Sequence, residues 1–267
     1  MMDNRLTEDR RMLKYGLTEL YSNIFCFSTT RHGGYSQGSY ASFNCNGYCG
    51  DMPEAVLKNR ELLSSLLPVR GELVIPHQVH QTEIRIVDDV FLQKGKPDRE
   101  ALLEGVDALV TNVPKVCLCV STADCIPVLC YDVRHRAIAA IHAGWRGTVA
   151  RIVCKTLSVM KKVYGTRGED IYACIGPGIS QDAFEVGDEV YDIFDKAGFD
   201  MPRIAVRKEK WHIDLWETNR MQLLEFGVNT SRIEVSGICT WKNKDDFFSA
   251  RRLGIASGRI LSGIMMC

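Results

Sequence analysis

Four apolar runs crowd into the middle of the chain: Val106–Thr111 (VDALVT), Val116–Val120 (VCLCV), Ile126–Tyr131 (IPVLCY) and Ala137–Ile141 (AIAAI). Each is too short for a typical helix and is apolar almost throughout, so each reads as a strand buried on both faces. Their closeness in sequence predicts neighbouring strands of one buried sheet. Such a sheet needs cover, and the rest of the chain supplies it. Over 148–164, Val149, Ile152, Val153, Leu157, Met160 and Val163 line one helical face, with Lys155, Lys161 and Lys162 on another. A second helix is predicted from Asp51 to Pro68, with Asp51 and Glu54 at capping-box spacing and Pro53 in the first turn. Further helices are expected near 187–197 and 214–226.

Strands are predicted at 23–30, 73–75, 82–89, 171–175 and 233–238. The tail DDFFSARRLGIASGRILSGIMMC reads as strand, turn, strand. Residues 92–105 are charged and carry Gly and Pro, so a solvated loop is expected there. Residues 1–23 read as an N-terminal arm or short helix. No repeat or linker divides the chain, which predicts one α+β domain with a mixed sheet over 1–267.

Charge and cysteine usage bound the partners. The 33 basic and 33 acidic residues cancel, so no basic excess marks a nucleic-acid or membrane surface. No apolar run approaches the roughly 18 residues of a membrane span, and MMDNRLTEDRRMLKYG is charged where a signal peptide is apolar. Eleven cysteines are scattered without framework spacing, which points to reduced thiols and a cytoplasmic setting. Most of them, Cys117 and Cys119 included, are expected in the core. Small solutes are the expected partners, with no nucleic acid and no membrane.

Chemistry concentrates in Ser121–Gly147, STADCIPVLCYDVRHRAIAAIHAGWRG. Cys125 follows an acid, Asp124, and precedes Pro127, which cannot donate to a strand ladder and so marks a bend or edge. His142 closes an apolar strand. His80, in HQVH, sits where another strand begins. Two imidazoles and one thiolate would make a zinc site with an open position, which lowers the pKa of a water there to about 7. The same residues also admit a thiol–imidazole nucleophile, Cys125 with His142, or an inert core cysteine beside hydrogen-bonded histidines.

In order along the chain lie FSTTRHGG, SFN, GDMPEAVLKNR, HQVHQTEI, VDALVT, STADCIPVL, AAIHAGWRG, ACIGPGI, FEVG, DLWETNRMQLLEFGV, ICT and FFSARRLG. Together they resemble the YfiH family, also named the laccase-domain or polyphenol oxidase family and the purine nucleoside phosphorylase family. The resemblance spans roughly 24–262. It implies an α/β/β/α fold, with helix layers outside two stacked mixed sheets. It implies His80, Cys125 and His142 as metal ligands, and so selects His80 over His77.

The implied activity is phosphorolysis of adenosine, inosine, guanosine and methylthioadenosine, with deamination of adenosine to inosine. Purine nucleoside and phosphate become the expected partners. Three departures bear on pocket shape rather than on ligands: Gln81 where the family has glycine, SFNCNG for SLNLG, and FFSARRLG for FFSYRRDG.

Some roles follow from chemistry. The HxE and PCxxC signatures of familiar nucleobase deaminases are missing, so deamination would need another architecture. Asp124 is the acid nearest a ligand in sequence, open as a catalytic group or as a structural hydrogen-bonder. Phosphate needs arginine forks and backbone N–H groups. Arg31, Arg146 and Arg251 are candidates for that role, with Asn44 of the SFN motif for substrate. Tyr40, Phe43 or Trp145 could stack on a purine, though aromatics more often fill a core. Six dispersed histidines cannot supply the clusters of a multicopper oxidase, and no Met follows Cys125 and His142 as a blue-copper site would want, so zinc is favoured over copper. Two other classes remain open: a cysteine hydrolase or amidase acting on peptidoglycan intermediates, and a non-catalytic metal-binding protein.

Overall fold

The computed structural model describes residues 5–267. In chain order its strands are β1 (Met12–Lys14), β2 (Ile24–Thr29), β3 (Glu72–Val74), β4 (Ile84–Ile86), β5 (Ala108–Thr111), β6 (Val116–Thr122), β7 (Ile126–Asp132), β8 (Ala137–Ala143), β9 (Ile171–Ile175), β10 (Glu185–Val186), β11 (Ala205–Arg207), β12 (Trp211–Ile213), β13 (Ile233–Val235) and β14 (Ile260–Met266). They form a five-stranded sheet ordered β1-β2-β14-β6-β3, a six-stranded sheet ordered β13-β9-β7-β8-β5-β4, and a small sheet ordered β10-β12-β11. Both large sheets are mixed. The pairs β3–β6, β4–β5 and β9–β13 are parallel and the other pairs antiparallel.

The alternation of side chains along each strand builds the layers. Val116, Leu118 and Val120 of β6 meet Leu109, Leu129, Ile138 and Ala140 of the other sheet, making the core between the two sheets. Cys117 and Cys119 point to the opposite face, under Leu63 and Leu67 of the helical segment that follows Pro53. Beyond the six-stranded sheet, Ile126, Val128, Ala139 and Ile141 pack on Ile152, Val153, Leu157 and Met160 of the helix Ile152–Tyr164. The result is the expected α/β/β/α layering. Each fully buried aliphatic side chain contributes about 1.5–3 kcal/mol, so the strands with no polar face carry much of the stability.

Several local expectations are corrected. The four central runs do not share a sheet: β5, β7 and β8 do, while β6 pairs with β3 and β14. Apolar content marks burial but not which of two stacked sheets a strand joins. Residues 92–105 contain a helix, Lys96–Leu102, with Gly95 before it and Pro97 in its first turn. Gly and Pro there are helix-start chemistry rather than loop chemistry.

Asp51 does not cap the helix Pro53–Leu66. Its carboxylate accepts instead from Ser36 and Asn44. The helix expected over 148–164 is two, Trp145–Val149 and Ile152–Tyr164, divided where Arg151 takes a left-handed conformation (φ 60°). In the tail, Ser249 caps a short helix, Ala250–Leu253, in place of the first expected strand. The N-terminal segment forms a short helix, Gly16–Leu20, and also strand β1, whose Leu13 is fully buried. Residues 1–4 lie outside the described residues.

Twice the chain passes from the five-stranded sheet to the six-stranded one near the same point. Residues 75–83 join β3 to β4, and residues 123–125 join β6 to β7. Gln78 holds the first crossing to the end of β6. Its Nε2 donates to Ser121 O (2.8 Å) and its Oε1 accepts from Ser121 N (2.7 Å), like a short strand made by a side chain. Replacing it by an isosteric apolar group strands two backbone groups, each worth about 1–3 kcal/mol when left unsatisfied. Gln78→Leu is expected to lower stability by about 2–4 kcal/mol, read as a reduced denaturant midpoint at constant m value. An unchanged midpoint would count against this anchoring.

Candidate metal centre and active site

The two crossings and the end of β8 bring His80, Cys125 and His142 together. One ligand atom from each lies within 4.8 Å of the others. That spacing suits three donors to one tetrahedral ion, with bonds of about 2.0–2.3 Å. Gly144 makes the approach possible: a Cβ there would stand 2.9 Å from His80 Cδ2 and 3.1 Å from Cys125 Sγ.

Asp107, fully buried at the start of β5, organises the ligands. Its Oδ1 accepts from His142 Nδ1 (2.7 Å) and from His80 N (3.0 Å). Its Oδ2 accepts from Gln81 N (2.7 Å) and Val79 N (3.3 Å). The bond to Nδ1 fixes the imidazole tautomer and leaves Nε2 for an ion, the usual outer-sphere arrangement of a metal-binding histidine. Three consecutive N–H groups on one carboxylate hold His80 in a left-handed backbone (φ 63°) that a non-glycine residue rarely adopts.

The electrostatics are those of a thiolate beside an imidazolium. Burial alone pushes the Cys125 thiol up, but the His142 and His80 imidazoles facing it bring it down to about 6. Burial pushes His142 down, and the opposing Cys125 and Asp107 charges raise it to about 9. Burial likewise raises Asp107, but the hydrogen bond and charge of His142, together with the Gln81 and Val79 N–H groups, outweigh it, so Asp107 stays below the ordinary carboxylate range. At neutral pH the metal-free site therefore holds a thiolate ready to bind a cation.

These residues open onto a cavity of about 200 Å³. Asn46, Tyr48, His77, Ser121, Thr122 and Arg259 also line it. Tyr48 and His77 stack face to face, 4.3 Å apart at 18°, and His77 Nδ1 is paired with Glu104 (2.7 Å).

The other residues singled out from sequence are placed differently. Asp124 is left-handed (φ 84°), and its two oxygens accept from Thr240 Oγ1 and Arg251 N, both at 2.7 Å. Arg31 gives its guanidinium to the Ala41 and Lys244 carbonyls and lies over Phe248. Arg146 lies over Trp145, 4.3 Å from the ring. Arg251 lies over Phe184 and donates to Glu185 O. None of these four lines the cavity. Asn44 is buried behind it, accepting from Arg259 N (3.0 Å). Phe43 is fully buried, and Tyr40 donates to Cys49 O.

Sequence reasoning passed over Asp107, Arg259 and Asn46. A lone acid inside VDALVT was the available signal for the first. For Arg259, nothing in sequence separates it from the other arginines. Among the described residues a second donor group, Asp132, His135 and Asp170, lies apart from this site.

Comparison with known proteins gives the chain its family. Residues 25–267 match the family model described as multi-copper polyphenol oxidoreductase laccase. A purine nucleoside phosphorylase of Bacteroides thetaiotaomicron is 58% identical over 265 residues, 98% of each chain. A protein named adenosine deaminase RL5, from an unknown prokaryotic organism, is 40% identical over 255 residues, covering 94% of this chain and 97% of the relative. Among solved structures, YlmD from Geobacillus stearothermophilus superposes with a TM-score of 0.89 at 31% identity, covering 99% of each chain. The hypothetical protein YfiH of Bacillus licheniformis superposes at 0.90 with 28% identity, covering 99% of this chain and 100% of its own.

Two outcomes are expected. Gly144→Ala should keep the fold by circular dichroism but lose most metal on dialysis, because the new methyl occupies the space between two ligands. Full metal content in that variant would refute the crowding argument. In metal-stripped protein, iodoacetamide should alkylate Cys125 at a rate that rises as pH passes through about 6 and then levels, since the thiolate forms above its pKa. Added zinc should suppress the reaction. Cys125 reacting only above pH 8, as an ordinary thiol does, would contradict the thiolate.

Proposed function

The chain belongs to the multi-copper polyphenol oxidoreductase laccase family, and from that premise we propose that it is a zinc-dependent purine nucleoside phosphorylase that also deaminates adenosine. Adenosine, inosine, guanosine and methylthioadenosine are the proposed nucleosides, with phosphate as co-substrate. The observation that carries this reading is the convergence of two imidazoles and one thiolate on a single cavity. The names of the relatives support it.

The donor set favours zinc over copper, since thiolate with imidazole suits zinc and no methionine lines the cavity. Multicopper chemistry would need further histidine clusters. The four histidines outside the triad are otherwise engaged: His32 with Asp246, His77 with Glu104, His135 with Asp132 and His212 with the Gln181 carbonyl.

Zinc held by His80, Cys125 and His142 would supply a Lewis acid at the cavity floor. The chain's own contribution is positional. Asp107 keeps the proton on His142 Nδ1 and holds the 79–81 turn, so the two imidazoles are set before substrate arrives. The Tyr48–His77 stack gives the cavity wall a flat aromatic face for a purine. In phosphorolysis a phosphate oxygen forms the bond to C1′ as the C1′–N9 bond breaks and its electron pair leaves with the base. In deamination, water adds to C6 and ammonia departs.

A cytoplasmic setting is part of the proposal, supported by eleven unpaired cysteines. Among the described residues no helix is long and apolar enough to cross a membrane.

One observation favours a second reading. Asp107, His142 and Cys125 also form an acid–imidazole–thiol series, which a cysteine hydrolase or amidase acting on peptidoglycan intermediates would use. His80 argues for metal instead, because a nucleophilic pair has no use for a second imidazole on the thiol. The activity test is incubation of adenosine with and without phosphate, followed by separation of products. Inosine is expected in both conditions, and adenine with ribose 1-phosphate only with phosphate. Cys125→Ala should lower both rates by more than about a hundredfold, beyond the loss typical of removing an outer partner. No product in either condition, or full activity in Cys125→Ala, would sink the reading.

A further inference from the structure

The cavity beside the triad is lined by polar groups that keep hydrogen-bonding capacity to spare. Arg259 enters from the start of β14. Its Nη1 donates to the Ser257 (2.6 Å) and Gly258 (3.0 Å) carbonyls, and its Nη2 to Ile255 O (3.0 Å). That leaves the Nε–H and one Nη2–H. Among the described residues no carboxylate pairs with this guanidinium, whereas Arg10, Arg99, Arg151, Arg203, Arg207 and Arg220 each have one. The backbone N–H of Arg259 is held by Asn44 Oδ1 (3.0 Å), which fixes where the side chain starts.

Two neutral donors share the cavity lining with Arg259. Ser121, on the Cys117 and Cys119 face of β6, is 6% exposed, and its hydroxyl oxygen has no hydrogen-bond partner among the described residues. A buried hydroxyl without a partner is costly, which marks it as a group a ligand would satisfy. Asn46 Oδ1 accepts from Tyr48 N (2.7 Å), which turns its Nδ2 amide the other way, where it has no partner among the described residues. No Asp or Glu lines the cavity. A guanidinium, an amide N–H₂ and a hydroxyl with no acid among them are a donor set for an oxyanion. Arg31, Arg146 and Arg251, the candidates suggested by sequence, lie elsewhere and are engaged with carbonyls or aromatic faces.

We propose that Arg259, with Asn46 and Ser121, forms the inorganic phosphate subsite of this cavity, beside the His80–Cys125–His142 triad. The proposal rests on the phosphorolysis reading and assigns its co-substrate a place. The three arginines that sequence put forward then have structural roles.

The test is equilibrium dialysis of radiolabelled orthophosphate against the full chain as purified, with metal content measured in every sample. Saturable binding of one phosphate per chain is expected. Arg259→Gln should weaken it by at least about tenfold, the guanidinium being the one full charge in the set. Arg259→Lys should retain part of the affinity. Ser121→Ala should weaken binding about two- to fivefold, as loss of a single neutral donor does. Lys161→Gln, on the far helix, controls for charge alone.

Because Arg259 also braces three carbonyls, melting curves accompany each variant, and the Lys and Ser121 variants read the site if the Gln variant unfolds. Four results would overturn the proposal: no saturable binding to the parent chain, binding within twofold of it in a folded Arg259→Gln, loss on Arg146→Gln instead, or loss of metal together with phosphate. The functional reading fails separately. A chain that binds phosphate through Arg259 yet cleaves no nucleoside refutes phosphorolysis and leaves the subsite standing.

Discussion

The buried carboxylate of Asp107 is the contact on which the candidate site depends. It accepts from three successive backbone N–H groups of one crossing segment and from the imidazole at the end of β8. A fully buried carboxylate is costly unless each lone pair is matched, and here four donors match it. Removing any one partner leaves the charge under-compensated, so the group acts as a unit. His80 and His142 come from distant parts of the sequence, yet their relative position is set through a single side chain. That is how an outer residue tunes a metal site without touching the ion.

The fold explains why the site lies where it does. A chain that stacks two mixed sheets must pass between them, and both passages that matter fall at one end of the stack. There the backbone leaves regular hydrogen bonding and side chains take over as anchors: Gln78 on Ser121, Asp124 on Thr240 and Arg251, Asp107 on 79–81. The apolar strands behind supply rigidity, since Ile126, Ile141 and Ala143 beside the ligands are fully buried. Polar groups that would be expensive in the middle of the core are tolerable at its end, where they are paired or face the cavity.

Strand and helix identity were legible wherever apolar periodicity was strong, as over β5 to β8 and in the helix Ile152–Tyr164. Sheet membership was not, because β6 and β7 read alike in sequence and differ only in their partners. Where Gly and Pro open a helix at 95–97, composition suggested a loop and spacing in space decided otherwise. The three soft donors could be picked out by residue type and by family resemblance. Asp107 sits inside an apolar run and shows its purpose only when 79–81 folds onto it. Among the arginines sequence offers no discrimination. Arg259 is set apart by facing the cavity without a carboxylate or aromatic partner, and that is a property of packing.

Backbone strain ties these threads together. Two of the three ligand segments contain a non-glycine residue in the left-handed region, His80 at φ 63° and Asp124 at φ 84°. Each such residue costs on the order of 1 kcal/mol and persists only where neighbours over-determine it. Here the neighbours are carboxylates. Asp107 grips the N–H groups around His80, while Asp124 fastens its own turn through Thr240 and the Arg251 amide. Asp124, the acid next to the cysteine in sequence, thereby holds the Cys125 turn with both oxygens already engaged, and Gly178 packs close against the Asp124 and Cys125 carbonyls from behind. Strain held by such ion–dipole contacts is stable in the absence of any ligand, so the donors are aimed before an ion arrives. A site arranged in this way binds by filling prepared positions, and the conformational cost of assembling it is met by folding rather than by binding.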